Sequence, residues 1–288
     1  MSHITICSIL ALAFCGFQTS AYATEVFHNF RDDGNFSDNY GGNFSSSYNL
    51  NEQRELQEIK QMEATDMSLN SSEDYQTFDC SYETVTKESF ANIPYGAVRE
   101  AQFSQDIEFA ESLLSSTMLK EFISQQPNLT HLDLDENLLR DEGIAPLSTL
   151  LYLVNLSIAK NGITNWGLKN IISPMTSLGS LDLSRNYFDI DGFRTLNWVL
   201  ANLQNLSCNC VPLGDMGAEF ISKNAPQLQT LGLRATNLSE RGLAFLTSLN
   251  QLKKVDISYN TISPTYLVDF IQKMNARNVE VIADYMGD

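Results

Sequence analysis

Histidine is nearly absent from this chain, with 3 in 288 residues. The five cysteines are too few and too scattered for a disulfide framework. Basic residues are short as well: 18 Lys and Arg face 35 Asp and Glu, a formal charge of -17. A field of that sign repels phosphate backbones and anionic lipid, so nucleic acid and membrane surfaces are excluded as expected partners. After the first residues no apolar run is long enough to cross a bilayer. Neither Gly-rich phosphate loop occurs, and two widely separated histidines, His28 and His131, beyond the first 23 residues cannot supply a catalytic triad or a zinc centre. The sequence therefore predicts no enzyme, no cofactor and no metal.

The amino-terminal stretch reads as an export signal. An apolar run from Ile4 to Phe17 leads into Gln18-Thr19-Ser20 and then Ala21-Tyr22-Ala23, a small-x-small cleavage site, although no Lys or Arg precedes the run. We expect cleavage after Ala23 and a secreted or periplasmic protein without membrane insertion. Leu12-Ala13-Phe14-Cys15 is not a lipid-attachment site, because bulky Phe14 stands where a small residue is required. Cys7 and Cys15 leave with the signal.

Residues 24–100 form the expected second region, flexible and acidic. Single aromatics from Phe27 to Tyr48 sit in Gly, Asn, Ser and Asp without helix or strand period, and isolated rings bury too little surface to offset ordering entropy. A short amphipathic helix over 50–64 is expected on a thin apolar face, and Phe78, Cys80 and Tyr82 alternate as in a strand. Residues 24–103 hold 15 acidic side chains against 5 basic ones, so the acidity is concentrated there.

Over residues 101–288 the chain repeats. Leu129, Leu153, Leu178, Leu203, Leu228 and Leu252 follow one another at gaps of 24, 25, 25, 25 and 24. Three positions on stand Leu132, Leu156, Leu181, Leu206, Leu231 and Val255. Two further are Leu134, Ile158, Leu183, Cys208, Leu233 and Ile257, which makes a short strand with one apolar face. The ninth position is Asn137, Asn161, Asn186 and Asn260, with Val211 and Thr236 as exceptions. The fifteenth is Gly143, Gly167, Gly192, Gly217 and Gly242. Apolar residues four beyond the glycine mark the inner side of a helix. In register, Ser104 heads an earlier unit with Ile107 and Phe109 in its strand, and Ala276 heads a last one with Val279 and Val281.

This L-x-x-L-x-L-x-x-N pattern with its later Gly resembles the leucine-rich-repeat family, and most of all its ribonuclease-inhibitor-like and bacterial GALA-type subclasses. The resemblance spans about 185 residues. It implies an α/β solenoid of about six full repeats plus caps, with parallel strands on the concave face, helices on the convex face, and the asparagines in a hydrogen-bonded ladder. GALA-type proteins carry an F-box helix, and none is recognisable between Leu50 and Ala101. The glycines are read as structural, serving close packing or unusual backbone angles where the helix begins.

Such scaffolds bind through the residues between the inward apolar positions. The expected partner-binding set is Asp133, Asp135, Lys160, Asp182, Arg185, Tyr187, Asn209, Arg234, Asp256 and Tyr259. Tyr and Arg are the types that anchor interfaces. Asp133 and Asp135 could form a carboxylate pair or a weak calcium site, but a solvated acidic face is the plainer reading. Cys208 and Cys210 point in different directions in this register, which sets aside a metal or redox role for the pair. The expected function is a non-catalytic exported scaffold holding a protein partner, which for a bacterium living with a eukaryote extends to a host protein. The alternative is a periplasmic or envelope assembly protein. Asn-x-Ser sequons on the strands themselves, as at Asn155 and Asn205, point to a bacterial source, since glycans there would crowd the binding face.

Overall fold

Three residues in extended conformation are enough to hold this chain in place once every 25 or so. The computed structural model describes residues 76–83, 85–105 and 114–283. The expected signal, leader and helix over 50–64 lie outside these residues. Nine strands form one sheet in sequence order, every neighbouring pair parallel. They are β1 Thr77–Asp79, β2 Glu100–Gln102, β3 His131–Asp133, β4 Asn155–Ser157, β5 Ser180–Asp182, β6 Asn205–Ser207, β7 Thr230–Gly232, β8 Lys254–Asp256 and β9 Glu280–Ile282. Leu132, Leu156, Leu181, Leu206, Leu231 and Val255 stand directly opposite one another along this ladder, as their spacing requires.

Between strands the chain returns through helical segments of unequal length. They range from a three-residue turn at Asn165–Gly167, continued by a π-helical turn over Leu168–Ile172, to the twelve residues of Pro264–Asn275. The strands fix the period and the returns absorb differences. Strands lie about 4.8 Å apart whereas helices are about 10 Å wide, so a stack of such units bends toward its strands. The first, fourth, sixth and eleventh positions of the repeats from Leu129 to Leu228 are buried without exception. This is the predicted α/β leucine-rich-repeat solenoid.

Both ends depart from the expected register. The strand paired with Leu132 centres on Ala101, inside the chain segment Val98-Arg99-Glu100-Ala101-Gln102-Phe103, and not on Ile107. Ile107 and Phe109 lie outside the described residues. A further strand, centred on Phe78, pairs with Ala101, so the ladder begins N-terminal to residue 101. These early units replace leucines with rings. Phe103 and Phe90 meet Phe122 edge-on with centroids 5.0 and 5.6 Å apart, and Phe78 stacks on it at 5.2 Å, sealing the end of the core. At the other end Val281, not Val279, lies opposite Val255. The slip is two residues, which keeps the same face inward because side chains alternate along a strand.

The ninth-position asparagines turn inward. Asn161 Nδ2 donates to the carbonyls of Leu134 (2.8 Å) and Ala159 (3.0 Å), and its Oδ1 accepts from Leu139 N–H. Asn137, Asn186 and Asn260 repeat the arrangement, each bonding the sixth-position carbonyl of the preceding unit. Of the sixth-position carbonyls the Thr236 hydroxyl reaches only that of its own unit, Leu233 O, while the buried isopropyl of Val211 can make no such bond.

Candidate functional site

Because the apolar strand positions face the core, the positions between them are the ones the sheet presents outward. The fifth position runs Asp133, Ser157, Asp182, Ser207, Gly232 and Asp256 from β3 to β8, and the seventh runs Asp135, Ala159, Ser184, Asn209, Arg234 and Ser258. Each fifth-position aspartate also serves the backbone. Asp133, Asp182 and Asp256 accept from the N–H two residues on, at 3.0, 2.8 and 2.9 Å, which satisfies a donor where the strand ends.

The eighth position is unusual in backbone. Glu136, Lys160, Arg185, Cys210, Ala235 and Tyr259 all have φ between 52° and 62°, the left-handed region that glycine would occupy at no cost. Every unit turns here, and the turn lays the long side chains of this position along the rim of the sheet. None of these residues is glycine, so sequence reading gave no sign of it.

Asp135 is half-buried among the strand ends. Its Oδ1 accepts from Ser157 Oγ and from Ala159 N–H, both at 2.7 Å. Burial, with the neighbouring Asp133 adding to it, pushes its carboxyl up to about 7. Asp182 is raised in the same way, first by burial and then by Asp133, against hydrogen bonds from Ser184 and Ser207 that pull it down. The pair expected as a solvated face is thus partly embedded. Among the described residues no group of His, Cys, Asp and Glu is arranged to hold a metal ion.

Lys160, Asp182, Arg185, Asn209, Arg234 and Tyr259, six of the ten predicted residues, line one hollow of about 230 Å³. Within it Lys160 is tied to Glu136 at 2.7 Å, and the Arg234 guanidinium lies over the Tyr259 ring, 4.2 Å from its centroid. Arg185 is exposed. A second hollow of about 360 Å³ adjoins it, sharing Asp182 and adding Glu100, His131, Asp133, Ser157 and Asn205. Asp135 and Asp256 line neither. Tyr187 stands apart: it occupies the tenth position, past the turn, where its exposed ring lies beside Gly162. Glu100 and Gln102 on β2 fall outside the expected register, which begins at Ser104, whereas Ser184 and Ser207 follow from the period although the expected set does not include them.

Comparison with known proteins bears on the fold. The leucine-rich-repeat family model matches residues 125–148. No curated protein matches the chain. Among solved structures it is similar to one in the Rad7 and Elc1 complex of yeast, with 19% identity and a TM-score of 0.55, covering 70% of this chain and 54% of that one. It is also similar to one in the TLR13–ssRNA13 complex, with 16% identity and a TM-score of 0.47, covering 66% of this chain and 30% of the other. The chain thus spans about half or less of the length of these structures.

Proposed function

We propose that this protein is a non-catalytic scaffold that binds another protein on the strand face of its solenoid. The observation that carries the reading is the contiguity of the two hollows. They set polar and charged side chains from five consecutive strands, β2 to β6, and from the turns that follow β7 and β8 side by side on one surface, while the apolar side chains of those strands are spent on the core. A broad sheet with aromatic and arginine anchors suits a macromolecule better than a small substrate, which needs an enclosed cleft. Rad7 is solved in complex with Elc1. We further propose export directed by the signal ending at Ala23, and membership in the ribonuclease-inhibitor-like or GALA-type subclass on the strength of the Asn and Gly positions.

The test is capture by the immobilised protein from the organism that makes it. Arginines introduced at Ser157 and Asn205 should abolish recovery of the specific partner. The substitution Lys169→Glu, on a helical return, should leave recovery unchanged. Equal recovery by all three proteins would place binding elsewhere. Amino-terminal sequencing of the mature protein tests export, with Thr24 as the expected first residue.

A further inference from the structure

The two hollows differ in sign, and the difference is unexpected in a chain of charge -17. In the first, neither Arg185 nor Arg234 forms an ion pair among the described residues. The Arg234 guanidinium lies over the Tyr259 ring, 4.2 Å from its centroid, which holds this cation within the hollow, and a guanidinium is the group that grips a carboxylate in a two-point bond. Asn209, two residues past the end of β6, belongs to the unit between theirs and lines the same hollow, its Oδ1 accepting from the Arg234 backbone N–H at 2.9 Å. The second hollow carries Glu100 and Asp133 on the two strands β2 and β3, with Asp182 at the boundary.

The geometry points to an extended peptide segment of the partner lying across the strands, with a carboxylate side chain between Arg185 and Arg234 and a cationic side chain over Asp133. The inference rests on strand-face binding as proposed above and specifies its chemistry. From β6 to β3 is three strand spacings, about 14 Å, which four residues of extended chain cover. Opposite charges four residues apart therefore match the surface. A nucleic acid does not, because its phosphates recur at every unit and the second and third would fall on Asp182 and Asp133.

The experiment follows Arg side-chain and backbone amide resonances of the full chain during titration with acetyl-Glu-Thr-Ser-Thr-Lys-amide. Three other probes are a version with Gln for Glu, a version with Glu for Lys, and oligouridylate of matching length. The first peptide should shift the signals of Arg185, Asn209 and Arg234, and should bind about tenfold or more tightly than either altered peptide, the effect of one charge-assisted two-point bond. Arg185→Gln, on an exposed side chain, should erase the preference for Glu over Gln while leaving the thermal midpoint in place. Equal affinities, no shift with any probe at millimolar concentration, or tighter binding of oligouridylate would overturn the assignment. Partner capture that still depends on Ser157 and Asn205 in that case would leave the scaffold reading standing and remove only its charge pattern.

Discussion

Asn161 is fully buried, and its amide bonds backbone groups of two adjacent units at once, accepting from Leu139 N–H and donating to the Leu134 carbonyl, which also accepts from Asn137. Asn161→Ala leaves the Leu139 N–H without this partner, at about 1–3 kcal/mol, and takes from the Leu134 carbonyl one of its two amide donors, at about 1 kcal/mol. We expect a loss of about 3 kcal/mol in urea unfolding; a loss under about 0.5 kcal/mol would mean that the ladder is ornamental. Asp135 makes a second residue-scale prediction. Its folded-state carboxyl titrates at about 7 whereas an unfolded aspartate titrates near its ordinary value of about 4. The folded state thus binds more protons in that interval. The stabilisation is complete below about pH 4 and is lost as pH rises to about 7. Asp135→Asn, which keeps an oxygen for Ser157 and Ala159, should flatten this part of the pH profile and raise stability at pH 8 by on the order of a few kcal/mol. Unfolding midpoints at pH 5 and pH 8 decide it, and an unchanged slope in the variant would refute the placement of the titration.

At the scale of elements, the fifteenth-position glycines resolve an alternative the sequence left open. They are not there for backbone freedom, since the φ of Gly167 is -61°. A side chain on Gly167 would run into the carboxylate of Asp141 from the preceding unit, which bonds both the N–H and the hydroxyl of Thr164 at the helix start. Asp215, Ser239 and Gly242 repeat the device. Gly167→Ala should therefore destabilise by about 1–3 kcal/mol, and by less when Asp141→Ala has removed the obstacle. A double-mutant cycle measures the coupling, and additive effects would contradict it. Legibility divides along the same line. The units from Leu129 to Leu252 could be read because burial on one face demands apolar residues at fixed intervals. The end units could not, because a cap packs against one neighbour only, and Phe103, Phe122 and Ala101 fill that asymmetric space in place of leucines. Of the site, the fifth and seventh positions were legible from strand alternation. The left-handed turn that aims Lys160, Arg185 and Tyr259 was not, since no residue type at that position announces it.

The whole molecule is a stack in which each unit touches its neighbours and little else, so stability is carried by interfaces along one dimension. The unit from Leu203 is the point where this matters most. Val211 interrupts the asparagine ladder there, Pro212 removes a donor, and Asn209 on the same unit forms part of the proposed anion hollow. Leu206→Ala opens a cavity in that unit and should cost about 2–5 kcal/mol. Hydrogen exchange should then quicken on both sides of it, at β5 and at β7, because each of those strands has lost half of its support. Val281→Ala in the last strand should quicken exchange in β9 and β8 alone. Uniform acceleration over the described residues in both variants would show that the array unfolds as one cooperative block, and that the break at Val211 has no consequence for how the two arms of the binding face move.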